Sequence, residues 1–228
     1  MRHRFFVAAP PPPGTSLTLT GEEAHHAKVL RLREGEAVEL FDGRGGAFAA
    51  TVEASLTSVL VGEPLPSRES PLSVELAMSI INLEKFELVL QKATELGVAV
   101  ITPLLTDRME VRAERFRGKG ERWRKILFEA VKQCGRATIP TLNEPMKFDE
   151  AVAREGAKVI YDAEESADAD AVTPAILFIG PEGGFSPREL ALARARGCAF
   201  ATLGPRRLSA ETAAIVAAAL VQSRYGDF

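Results

Sequence analysis

Cysteine is nearly absent from this 228-residue chain, which has only Cys134 and Cys198. They form no CxxC pair and have no histidine cluster beside them, which argues against a structural zinc site and leaves two buried thiols. Of three histidines, His25 and His26 are adjacent and point to different faces of a helix, a poor metal pair. No metal is expected. No apolar run approaches the roughly 18 residues of a membrane span, and no membrane association is expected. The N-terminal string MRHRFFVAAPPPPGTS has an apolar patch of five residues, cut off by prolines. A secretory signal needs a longer apolar core, so a cytoplasmic location is expected. Asparagine occurs twice and glutamine three times, while arginine outnumbers lysine 20 to 8. Few thermolabile amides fit a heat-adapted or GC-rich source. GxGxxG and GxxxxGK[ST] are missing, and no Ser-His-Asp or Cys-His arrangement is visible.

What is present is an uneven charge. The chain total is -3, but residues 106–136 hold ten Lys/Arg against five acids, whereas residues 137–228 hold nine against thirteen. A local basic field attracts phosphate whatever the chain total. Arg108, Arg112 and Arg115 open that stretch. A solvated helix face would carry the same charge.

The first 70 residues read as β-rich. Phe5-Phe6-Val7 is a short strand, and Thr20-Gly-Glu-Glu23 has the form of a capping box before a short helix. Residues 36–41 alternate and end in Asp42-Gly43, a hairpin signal, with Gly43-Arg-Gly-Gly46 read as its turn. The segment 63–71 has three prolines and reads as a linker. It divides a first domain, 1–70, from a second, 71–228. In the second, strands and helices alternate, the pattern of a mostly parallel α/β sheet. A strand at 72–81 leads to Asn82 as a helix cap. Trp123, Ile126, Leu127, Ala130, Val131 and Cys134 recur at helical spacing, stopping at Gly135. Helices are also expected near 148–155, after the capping box Ser186-Pro-Arg-Glu189, and from about 209 to 224. The last is apolar nearly all round, which fits a core helix that also meets a second copy of the chain.

Two loops stand at the ends of strands, where open α/β sheets bind ligands. One is 180–186, with glycines at 180, 183 and 184 that allow positive φ and close backbone approach. The other is 203–208. Both precede helix N-termini, whose free N–H groups can hold polar ligand atoms. Tight strand-to-helix turns without a ligand would look alike.

The strings IGPEGGFSPRE (179–189) and LGPRRLSAETA (203–213) resemble the two signatures of the RsmE family. HAKVLR (26–31) with LFDG (40–43), KATELGV (92–98) and KQCGR (132–136) agree with it, in order along the whole chain. The resemblance implies a SPOUT-type α/β domain with a trefoil knot behind a small N-terminal PUA-like β-barrel. It implies a homodimer that uses S-adenosylmethionine to methylate N3 of a uridine in 16S ribosomal RNA, within the small subunit or a late assembly intermediate. One departure stands out: where the family has Arg-Thr before Glu-Thr, this chain has Ser209-Ala210, with Arg206 and Arg207 close by.

A uridine N3 is an imide N–H, a weak nucleophile until deprotonated, so such a site must accept a proton and hold negative charge on the base. Arg136 and Arg206 are candidates to stabilise that charge, and Glu182 or Glu211 to accept the proton; Glu211 could instead serve the helix dipole. The donor loops supply Ile179, Gly180, Pro181, Glu182, Gly183, Leu203, Gly204, Arg206 and Leu208. A second RNA path runs over Arg2, Arg4, Lys28, Arg31 and Arg33. A SPOUT enzyme for another RNA or for ribose, and a non-catalytic assembly factor, remain as alternatives; binding of S-adenosylmethionine separates the enzymes from the last.

Overall fold

A computed structural model describes residues 3–162 and 173–228. The chain forms two compact units, Met1–Glu69 with Val131–Ile139, and Ser70–Ala130 with Pro140–Phe228. The break after Glu69 lies in the three-proline segment. The return of 131–139 to the first unit has no local signal, because it rests on contacts with residues over sixty positions away.

The first unit contains β1 (Arg4–Phe6), β2 (Ser16–Thr18), α1 (Gly21–Val29), β3 (Ala37–Phe41), β4 (Ala47–Val52) and β5 (Ser58–Pro64). Its sheet runs β1-β3-β4-β5-β2, so β1 and β2 are edges and strand pairing does not close the expected barrel among the described residues. β3 and β4 form the expected hairpin. Asp42 Oδ1 accepts from Arg44 N at 2.7 Å and Gly46 N at 2.9 Å, and Gly43 takes φ +76°, which favours glycine. Phe5, Val38, Leu40, Val59 and Ala27 of α1 make the core. Thr20 is the N-cap of α1, but its side chain makes no cap hydrogen bond. The expected capping box fails because Glu23 accepts from Lys132 Nζ at 2.8 Å instead.

The linker is no loose tether. Leu65 N donates to Ala47 O at 2.8 Å, Arg68 pairs with Glu39, and Glu69 accepts from the N–H groups of Ala137 and Thr138.

The second unit follows with β6 (Glu75–Ser79), α2 (Leu83–Glu95), β7 (Val100–Leu105), α3 (Ala113–Phe116), α4 (Gly120–Cys134, whose last turn belongs to the first unit), β8 (Thr141–Leu142) and β9 (Met146–Lys147). Then come α5 (Phe148–Val152), β10 (Lys158–Tyr161), β11 (Ile176–Ile179), α6 (Pro187–Ala195), β12 (Ala199–Ala201) and α7 (Ala210–Tyr225). The sheet order is β12-β10-β11-β6-β7-β8, with β9 also on β7, and the pairings are parallel. β6 is wholly buried, as a central parallel strand must be. It is shorter than the 72–81 expected. Asn82 caps α2 through Oδ1 to Glu84 N at 3.0 Å, as its sequence position predicts. Ala214, Ala217 and Ala218 are buried on α7, where small side chains allow close packing on α2.

Candidate functional site

Register brings the two Gly-Pro loops together. Tyr161, last in β10, is level with Ile179 of β11 on one side and Ala201 of β12 on the other. Parallel strands end on the same edge, so the turns after β11 and β12 emerge beside each other, with Tyr161 and Asp162 between them. Asp162 N donates to Ala201 O at 3.1 Å, extending the ladder by one residue.

The loop after β11 is shaped by its own packing. A Cβ on Gly180 would stand 3.3 Å from the Phe185 ring and from the Gly184 carbonyl carbon, tighter than ordinary contact. Gly184 N turns back to Pro181 O at 2.9 Å, with φ +68° at Gly184. Gly183, which the sequence suggested as a positive-φ position, takes no such angle, and a Cβ there would meet Arg108 at an ordinary 3.5 Å. Ser186 and Glu189 close the expected capping box on α6, with Pro187 in its first turn. In the other loop Gly204 has φ +86°, and a Cβ there would meet only open space.

Between the loops lies a cleft with about 850 Å³ of space, counting its open mouth. All nine residues expected to bind a cofactor line it: Ile179, Gly180, Pro181, Glu182, Gly183, Leu203, Gly204, Arg206 and Leu208. So do Tyr161, Asp162 and Arg108, which the sequence reading did not place there. Arg108 Nη1 donates to Gly183 O at 2.8 Å. Burial, with Tyr225 nearby, pushes the Tyr161 hydroxyl up to about 12, so it stays a neutral phenol near pH 7 and is no proton acceptor. Glu182 is exposed and also lines a second, wider groove with Asn82, Glu84, Arg112, Arg115 and Lys119. That groove has about 1770 Å³ of space, counting its open mouth.

Comparison with known proteins fits this arrangement. The RNA methyltransferase domain family matches residues 68–222, and the RNA methyltransferase PUA domain family matches residues 19–61. A ribosomal RNA small subunit methyltransferase E of Synechocystis is 31% identical over 98% of this chain and 78% of its own length. This chain belongs to the ribosomal RNA small subunit methyltransferase E family. The SPOUT-type α/β fold expected for that family is the fold observed, with a PUA domain before it. Two solved structures are similar over the full length of both chains: a methyltransferase of Legionella pneumophila in complex with bound SAM (38% identical, TM-score 0.87), and a methyltransferase E of Neisseria gonorrhoeae bound to S-adenosyl methionine (32%, 0.90).

The remaining residues singled out for this methyltransferase scatter. Glu211 is not in the cleft lining; its carboxylate pairs with Lys85 at 3.1 Å. Burial works to raise its pKa, but its own N–H, Lys85 and Ser209 outweigh burial and hold it below the usual carboxylate range. Its place at the start of α7, facing Lys85, fits the helix-terminal reading. Arg136 belongs to the first unit, where it is buried and paired with Glu69 at 2.9 Å. Arg4, offered as an RNA contact, is also buried. Its guanidinium donates to Glu39, Val131 O and Arg136 O, so it presents no charge to solvent. Lys28, Arg31 and Arg33 are exposed on the first unit, and Arg2 lies outside the described residues. Among the described residues, no helix is long and apolar enough to cross a membrane.

Proposed function

We propose that this chain transfers the methyl group of S-adenosylmethionine to N3 of a uridine in 16S ribosomal RNA. The observation that carries this reading is the cleft itself, built by the two family signature loops at one edge of a parallel sheet. Its chemistry suits such a donor. A carboxylate, an ammonium and a sulfonium need charges of both signs, and the lining offers Arg108, Arg206 and Arg207 beside Asp162 and Glu182. Gly204 leaves room for close approach to the backbone. When bound, the donor supplies an electrophilic methyl group.

The wider groove is the seat for RNA. It adjoins the cleft at Glu182, and Arg112, Arg115 and Lys119 can take phosphates along it. Both Glu182 and Arg206 line the cleft; in this reading Glu182 accepts the N3 proton, directly or through water, and Arg206 holds the negative charge left on the base. Lys28, Arg31 and Arg33 offer a second RNA surface. The substrate is RNA of the small subunit, assembled or nearly so, in the cytoplasm. A homodimer through α2 and α7 would cover Leu88 and Leu220, which are 42% and 55% exposed. The trefoil knot also belongs to this proposal: after edge strand β12 the chain crosses back so that α7 packs on β11 and β6.

The test is mass spectrometry of 16S ribosomal RNA incubated with the protein and S-adenosylmethionine. N3-methyluridine is expected. Methyl on a ribose or another base would move the protein to a different target, and failure to bind the donor would make it a non-catalytic factor.

A further inference from the structure

We propose that Arg108 recognises the carboxylate of the methyl donor, and that Glu189 is a positioning residue that holds Arg108 at the cleft. The proposal rests on the reading of the cleft as a donor site. By sequence Arg108 is one more cation in a basic stretch. In the structure its side chain lies along Gly183, and Nη1 donates to Gly183 O at 2.8 Å. This anchors one arm of the guanidinium; among the described residues Nε and Nη2, a planar pair of donors, make no hydrogen bond and are left for a ligand. Such a pair fits a carboxylate in bidentate fashion.

Side chains of α6 and its cap, with Ser79, hold the two residues before Arg108. Glu189 is fully buried, and each of its carboxylate oxygens has its own task. Oε2 accepts from Ser186 N at 2.8 Å, completing the α6 cap, while Oε1 accepts from Asp107 N at 2.9 Å. Ser186 Oγ donates to Asp107 Oδ2 at 2.6 Å, and Arg188 grips the same carboxylate with Nε and Nη2 at 3.0 and 2.9 Å. Thr106 is tied to Ser79 at 2.8 Å. A capping box needs only Ser186 and Glu189; the Asp107 contacts are additional to it. Their effect is to fix the residue before Arg108 to the helix that starts where the donor loop ends. A long flexible side chain so rooted loses less freedom on binding.

The test compares two ligands of the whole protein by calorimetry: S-adenosylmethionine, and 5′-methylthioadenosine, which lacks the carboxylate. In Arg108→Ala the affinity for S-adenosylmethionine should fall roughly tenfold, the loss of a charge-assisted contact, and that for methylthioadenosine should hold. Arg108→Lys, a point charge without the fork, should recover only part. Glu189→Gln keeps one acceptor of two, so it should shift the ratio of the two affinities in the same direction by less. A merely structural role of Glu189 would weaken both ligands alike. Equal loss of both ligands in Arg108→Ala, or loss of neither, overturns the proposal. So does a loss confined to RNA. Wild-type protein that binds neither ligand ends the reading of the cleft, and the proposal with it; that outcome is distinct from a normal wild type with an indifferent Arg108→Ala.

Discussion

In the first unit Arg4 and Arg136 are interior residues, 6% and 5% exposed. In the second, Arg108, Arg112, Arg115 and Arg206 are exposed at the cleft or the groove. A buried guanidinium must have its charge answered on the spot, and Arg4 does so with Glu39, three carbonyl oxygens and the Phe41 ring at 4.7 Å. It holds 131–139 onto the sheet that carries β1 and has nothing left for a ligand. The second set keeps donors toward open space. One residue type therefore does two jobs, and net charge along the sequence counts them alike. Burial and the partner's identity tell them apart.

The sharpest way to break this contrast is to delete one arginine of each kind. Arg4→Ala leaves Glu39 with Arg68 alone and removes a donor from three carbonyls. It should cost about 3 kcal/mol, the lower end for breaking a buried pair, read as a fall in denaturant midpoint. Arg206→Ala should change stability by less than about 0.5 kcal/mol while weakening the donor. Equal costs would mean that exposure does not separate the two sets.

The same division holds within the donor loop. Gly184→Val forces a β-branched residue to φ +68°, a strain of about 1–3 kcal/mol, and should lower both melting temperature and donor affinity. Gly183→Ala meets ordinary space and an ordinary angle, and should do neither. If Gly183→Ala were the worse, the loop would have to move on binding.

Much of this was legible in the sequence, for a physical reason. The loops 180–186 and 203–208 are governed by local chemistry: glycines after a strand, and a capping box in which Ser186 and Glu189 find each other three residues apart. The basic stretch was legible only as charge. Whether Arg4 is interior depends on Glu39 and Val131, 35 and 127 positions away. Arg108 answers to Gly183, 75 positions on. Thr20-Gly-Glu-Glu23 shows the limit from the other side: the pattern was right, but Lys132 took Glu23 from a distance. Asp162 and Tyr161 could have been found, since they end an apolar strand beside the other two, but only once the strand order was known.

Acid should also separate the units. Burial, with Lys132 and His3 against the weaker pull of Glu23, holds the His26 pKa below 6.5. The unfolded chain then takes up the proton first as pH falls, so this contribution to stability is present above pH 6.5 and is lost through the histidine range. In the second unit Arg188, then Ser186, hold the Asp107 carboxyl below its ordinary 3.8. Its contribution is present above that value and is lost only as pH falls further, through the carboxylate range. Between pH 7 and 5, protection against hydrogen exchange, taken relative to the intrinsic rate at each pH, should therefore fall in α1 and β1 before it does around Asp107. The reverse order would mean that another group governs the acid response.

The smallest effect on the fold, and the most telling for function, concerns Arg112 and Arg115. Both are exposed beside the groove, and no ion pair of theirs is recorded among the described residues. Changing both to Ala should alter stability by less than about 0.5 kcal/mol. If the groove holds RNA, each guanidinium displaces counterions when it meets a phosphate, and affinity depends on salt in proportion. Losing both contacts should weaken binding at low salt and flatten the slope of log K against log salt by roughly 1.4–1.8, at about 0.7–0.9 per contact. Donor affinity should hold, because neither residue lines the cleft. A weaker but equally steep curve would mean that the variants disturb shape rather than phosphate contacts. An unchanged curve would return the groove to solvent and move the RNA path to Lys28, Arg31 and Arg33, whose exposed charges on the first unit would then have to produce the whole slope.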